Sequence, residues 1–189
     1  MRRVAAVIAA LVLNSWLLQA QDPISPSAPR TKLEAFEAQE GVVLVRGFSR
    51  IGEVRGVYGG LVSVQSVEVM NAATGKKEYG IEIDVRDATH SGLEDQSNID
   101  YDEISSLIKG IDYISKAEKN ATKLDGFQVD YQTKGDFAIS FSNSGKKTAC
   151  TVSSGRIGRV SVSFKLADLL RLRDLIKAAQ AKLDEIRMP

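Results

Sequence analysis

One histidine, one cysteine and a scatter of carboxylates are the residues of this chain to weigh first for acid–base, thiol or metal chemistry. His90 lies between Asp87 and Ser91 in a polar stretch. A Ser–His–Asp relay needs three groups that converge from separate elements, which neighbours on one loop seldom achieve, so His90 reads as a solvated side chain. A single His with a single Cys falls short of the usual structural zinc sets. Cys150 follows Ala149 in an alternating run, where a small buried hydrophobe is expected instead of a nucleophile. Glu94, Asp95, Asp100, Asp102 and Glu103 form an acidic cluster, but they lack the alternating acids and central Gly of an EF-hand loop. Acids near a helix start already favour its dipole. A carboxylate-based hydrolase would have to assemble its site from scattered acids such as Asp84, Asp87, Glu94 and Asp95, because paired acids need no fixed spacing.

The Gly-rich stretches carry no phosphate chemistry. SGKKT at 144–148 has Ser140 where a phosphate-binding loop needs its first Gly, and it joins two strand-like runs. GRIG at 155–158 matches the Gly loop of KH domains in composition, but strands flank it instead of helices. Gly47, Gly52, Gly56, Gly59 and Gly60 do not fit G-x-G-x-x-G. No metal, nucleotide or other cofactor is expected.

The elements that would position a site are easier to read. Within residues 100–120, Ile104, Leu107, Ile108, Ile111 and Ile114 recur at three- and four-residue steps, the stripe of a core helix. Asp100 and Glu103 have capping-box spacing at its start, and Lys116 and Lys119 suit its negative end. Gly110, on this helix, predicts a close neighbour at that turn. Before it, residues 32–39 predict a short helix with Leu33 and Phe36 on one side. Residues 42–45 are strand-like; 47–60 suggest a short strand with turns at Gly52 and Gly59–Gly60. Val62, Val64, Val67 and Val69 alternate with a phase change at Ser66, which predicts a bulge there. Tyr79, Ile81, Ile83 and Val85 alternate cleanly, and residues 87–98 read as a polar loop.

After the helix come four period-two runs joined by Gly turns, at 127–132, 137–142, 150–152 and 160–164. Phe127, Tyr131, Phe137, Phe141 and Phe164 share their apolar phase. The opposite face offers Gln128, Asp130, Gln132, Ser140, Ser142, Ser161 and Ser163, polar and nearly uncharged, and these seven are the candidate contact residues. A last helical stripe runs through Leu166, Leu169, Leu172, Ile176, Ala179, Leu183 and Ile186. The fold class is therefore α+β: two antiparallel meanders of three to four strands, each followed by an amphipathic helix.

The chain's opening carries a destination. Arg2 and Arg3 precede the apolar residues 4–13, Asn14 and Ser15 interrupt the run, and Ala20 offers a small residue before Gln21. This is the layout of a secretory signal peptide, residues 1–20, too short to span a bilayer. Residues 21–30 form a Pro-rich tether and 31–189 a single α+β domain. Without Arg2 and Arg3, basic residues fall from 25 to 23 against 24 acidic ones, a formal charge of −1. Such a protein has no general field for nucleic acid or anionic membrane. One Cys excludes an intrachain disulfide. Asn120-Ala121-Thr122 is a glycosylation sequon, relevant only in a eukaryotic secretory pathway. The compact leader, lone Cys and short tether point to a bacterial periplasmic or secreted protein.

In element order alone, the doubled strands-then-helix plan resembles that of the whirly-type single-strand-binding proteins. The resemblance implies single-stranded nucleic acid as a ligand. The charge of −1 and the inward aromatics weigh against it, since such binding needs a basic groove and exposed stacking rings. The sequence therefore favours a non-enzymatic exported module, binding a protein or cell-envelope component or simply structural.

Overall fold

The computed structural model describes residues 28–88, 92–117, 121–145 and 147–188. The expected signal peptide at residues 1–20, residues 21–27 of the expected tether, His90, Ser91, Lys119 and Asn120 lie outside the described residues. The elements run α1 (Lys32–Glu37), β1 (Leu44–Arg55), β2 (Leu61–Asn71), β3 (Lys77–Arg86), β4 (Glu94–Asp100), α2 (Tyr101–Ser115), β5 (Phe127–Gln132), β6 (Ala138–Asn143), β7 (Thr148–Ser154), β8 (Val160–Phe164) and α3 (Leu166–Arg187). Two four-stranded antiparallel sheets result, β1-β2-β3-β4 and β5-β6-β7-β8, each in chain order. The fold is α+β, with two meanders as expected.

All five aliphatic residues of the α2 stripe are buried. The expected capping box at its start does not form: Asp100 makes no side-chain cap to its own helix. Its carboxylate instead accepts from the backbone N–H groups of Lys32 (3.0 Å) and Leu33 (3.2 Å) at the start of α1. Glu103 turns the other way and accepts from the N–H of Lys134 at 3.0 Å. Both acids tie α2 to remote segments, where buried backbone donors have the greater need. The box that does form is Thr31 with Glu34 on α1.

The first sheet departs from its expected layout in three places. Ser66 sits in regular register opposite Ser49 and Ile81, and the shift lies in β1 between Arg50 and Gly52. The change of phase in β2 is a change of buried face. Val62, Val64 and Ser66 face the main core, while Val67 and Val69 pack with Leu33, Phe36 and Leu44 in a second cluster under α1. Gly52 is no turn; it lies within the 12-residue β1, where its missing Cβ leaves room for Leu175 of α3, 2.8 Å from where that atom would be. Residues 94–100 are strand, not loop: β4 pairs with β3 from Glu94 through Asp100. Its sequence EDQSNID hides the strand because Ile99 is its one aliphatic residue.

The second sheet follows its expected runs closely, and α3 buries Leu169, Leu172, Ile176, Ala179 and Leu183. One cluster of buried side chains joins strands of both sheets with α2 and α3. The Ser66 hydroxyl donates to the Ala179 carbonyl at 3.0 Å, and Arg173 pairs with Asp112 at 2.9 Å, binding α3 to β2 and α2. At Gly110 the close neighbour is a ring: a Cβ there would overlap Tyr131, whose hydroxyl donates to Ser106 at 3.0 Å.

Candidate functional site

The register of the second sheet puts all seven candidate contact residues on one face. Gln128 pairs with Ser142, Asp130 with Ser140, and Ser140 with Thr151. Thr151 in turn faces Ser163, and Ser153 faces Ser161. Gln128, Asp130, Gln132 and Ser161 are exposed; Ser140, Ser142 and Ser163 are half-buried. Asp130 is held by the Gln128 amide at 2.9 and 3.0 Å. The result is a ledge of hydroxyl and amide groups with one carboxylate and no cation. Thr151, half-buried, belongs to it as well and went unremarked in the sequence although its phase identifies it; Ser153 shares that phase but is buried.

The acids are dispersed and engaged. Glu94 takes a bidentate contact from Arg86, at 2.8 and 3.0 Å for Nη2. Asp95 accepts from Ser154 at 2.6 Å, and Ser154 in turn meets Ser97 at 2.6 Å, a hydroxyl chain buried between the sheets. Asp102 pairs with Lys32 at 2.8 Å, which holds its carboxyl below the ordinary range. Asp87 donates its N–H to the Leu93 carbonyl at 2.9 Å. Two acids are pushed up by burial. Asp84, on the outer face of the first sheet, accepts from Ser63 at 3.1 Å. Glu103 has Oε2 buried without a partner. They lie on different elements, β3 and α2, and neither lines a recess described below. Among the described residues no cluster of His, Cys, Asp and Glu could hold a metal ion.

Two groupings were invisible in the sequence. Glu82 of β3 is fully buried on the outer face and is bonded by Arg46 and Gln65. The alternation of β3 had marked that position as wet. Where the sheets meet, a polar recess of about 290 Å3 gathers Glu34, Asp95, Asp136 and Arg156. Asp136, in a left-handed conformation at φ 65°, takes Arg30 at 2.7 Å and Arg156 at 3.1 Å. Gly135 beside it lies so close to the Asn98 backbone that a Cβ would overlap it. No spacing links residues 30, 136 and 156 in the sequence. The ion pairs neutralise Asp136 and close the recess as a structural joint.

Cys150 is buried, and burial, reinforced by the negative field of Asp168, pushes its thiol up to about 11. A thiol held protonated is a poor nucleophile near neutral pH. Ser144, Gly145 and Lys147 of SGKKT lie between β6 and β7, where the Ser144 N–H donates to the Lys147 carbonyl at 3.0 Å, and GRIG lies in the β7–β8 turn. No described helix is long and apolar enough to cross a membrane. Comparison with protein-family models, with curated proteins and with solved structures finds no match.

Proposed function

We propose that the chain is an exported, non-enzymatic module that engages a protein or cell-envelope component through the outer face of its second sheet. One observation carries this reading: an open sheet face of Gln, Ser and Thr side chains with a single carboxylate and no cation. Hydroxyl and amide groups pair with sugars and peptide backbones by neutral hydrogen bonds. Nothing on that face attracts phosphate, which needs positive charge. The carboxylates support the same reading, because the two with raised pKa lie on separate elements and Glu94, Asp95, Asp102 and Asp136 are held by protein partners.

Export is tested by N-terminal sequencing of protein recovered outside the cytoplasm. A chain beginning near Gln21 is expected; retention of residues 1–20 in a membrane pellet would overturn it. Binding is tested with the protein as bait in an envelope extract, beside a Ser140→Arg/Ser142→Arg variant with an unchanged melt. Loss of the recovered component in the variant is expected. A tight, salt-sensitive complex with single-stranded DNA and no envelope partner would sink the proposal.

A further inference from the structure

A recess of about 550 Å3 opens where β7 begins and β8 ends, against the turn that joins β1 to β2. That volume falls within the roughly 300–1,000 Å3 of small-molecule sites. The recess is built, not incidental. Val57 N–H donates to the Ser163 carbonyl at 2.9 Å, and Gly56 and Gly60 lie so close to Val162 that a Cβ at either would overlap it. The turn is thereby fixed as a wall beside the sheet edge.

The floor is apolar: Phe141, Cys150 and Phe164 are all buried. Three apolar side chains at the rim are nevertheless exposed, Val57 at 46%, Tyr58 at 72% and Leu166 at 39%. Large apolar groups left wet around one concavity mark a binding surface more often than chance exposure does. Lys165 is the only charged residue among those that line it, and among the described residues its ammonium has no ion-pair partner. The hydroxyls of Thr148 and Ser163 supply the remaining polarity. With its thiol protonated, Cys150 adds no charge to the floor near pH 7, and the Asp168 carboxylate behind it is engaged by the Lys165 backbone N–H at 3.1 Å and by Arg171 at 3.5 Å.

We propose that this cleft binds a small amphiphilic carboxylate, its apolar tail against Phe141, Cys150 and Phe164 and its head at Lys165. Apolar burial supplies the affinity and the lone cation selects the charge of the head. The site is distinct from the sheet face proposed above, sharing Ser163 alone, so either can fail while the other stands.

The test is an NMR titration of the purified 15N-labelled protein with decanoate, decan-1-ol and decyltrimethylammonium as probes. Decanoate should saturate below about 1 mM, shifting the amides of Val57, Tyr58, Leu166 and residues 148–150. Decan-1-ol should bind about tenfold more weakly, and the cationic probe not at this cleft. Lys165→Glu should weaken decanoate about tenfold and leave decan-1-ol unchanged. Val57→Trp, on the exposed turn and checked for an unchanged melt, should block both by filling the mouth. The proposal is overturned by absence of saturation, by shifts that map elsewhere, by decanoate binding indifferent to Lys165→Glu, or by binding that survives Val57→Trp.

Discussion

The two sheets have the same number of strands in the same order, but they use their faces differently. The second buries one face and leaves the other to water, so Gln128, Asp130 and Gln132 alternate with Phe127, Val129 and Tyr131. The first is covered on one face and, at one corner, on the other, while Phe48, Arg50 and Gln96 of its outer face stay exposed. Its inner face joins the main core, while on the outer face Val67 and Val69 lie under α1 and Glu82 is sealed by Arg46 and Gln65. A half-wet sheet keeps one face free and advertises it by strict period two. A sheet covered locally on its second face breaks that period there, and a polar residue such as Glu82 is drawn into structural contacts.

The largest effect should come from the core that both sheets share. Ile108→Asp places an unpaired carboxylate on the buried face of α2, at a cost of several kcal/mol. The variant should fail to fold, and a cooperative melt near the parent's would show that this face is not core. Next in size is a contrast between the outer faces. Glu82→Ala leaves the Gln65 amide without its acceptor and removes one of the two carboxylates on Arg46, Glu37 remaining, and should cost about 1–2 kcal/mol, below the value for a buried pair because Arg46 is partly exposed. Ser140→Ala, on the open face of the second sheet, should stay within about 0.5 kcal/mol. Equal urea midpoints for these two variants would erase the distinction between the sheets.

That distinction also explains what could be read before the structure. Three strands of the second sheet were legible nearly to the residue because most of one face is wet; β5 and β8 begin and end where the alternation does, while β7 runs two residues past its expected span at each end. In the first sheet the pattern misled. Val67 and Val69 turned to a second apolar patch, which mimics a bulge at Ser66, and β4 carries too few aliphatic residues to show a period. The candidate face was legible for the same reason as its sheet. The joint of Arg30, Asp136 and Arg156 was not, because ion pairs across 20 to 106 positions leave no local spacing. Asp100 and Glu103 had the right spacing for a cap, and tertiary partners took both.

A smaller effect tests how α2 is seated on the second sheet. Gly110→Ala gains about 1 kcal/mol of helix propensity, yet its Cβ meets the Tyr131 ring. Overpacking of this kind costs about 1–3 kcal/mol, so the single variant should be destabilised by roughly 1 kcal/mol net. In a Tyr131→Ala background the same change should become stabilising. If Gly110→Ala lowers stability equally in both backgrounds, the ring is not what the glycine accommodates.

The smallest effect concerns Asp84, and its sign separates the two outer faces. Burial on the first sheet raises its carboxyl above the ordinary value of 3.8, with Ser63 opposing through its hydrogen bond and Glu94 adding to the rise. A raised acid binds more protons in the folded than in the unfolded chain between the two pKa values. Stability must therefore fall as pH rises through that window, the reverse of an ion-paired acid. Asp84→Asn keeps an acceptor for Ser63 and removes the charge. Since Asp84 is only half-buried, the gain near pH 7 should be a few tenths of a kcal/mol, vanishing near pH 3. Urea midpoints of parent and variant at pH 3, 5 and 7 measure it. On the second sheet the corresponding acid, Asp130, is exposed instead of half-buried. A parent that gains on Asp84→Asn as pH rises would mean that the Arg86 and Arg50 fields, which lower this acid, outweigh its burial.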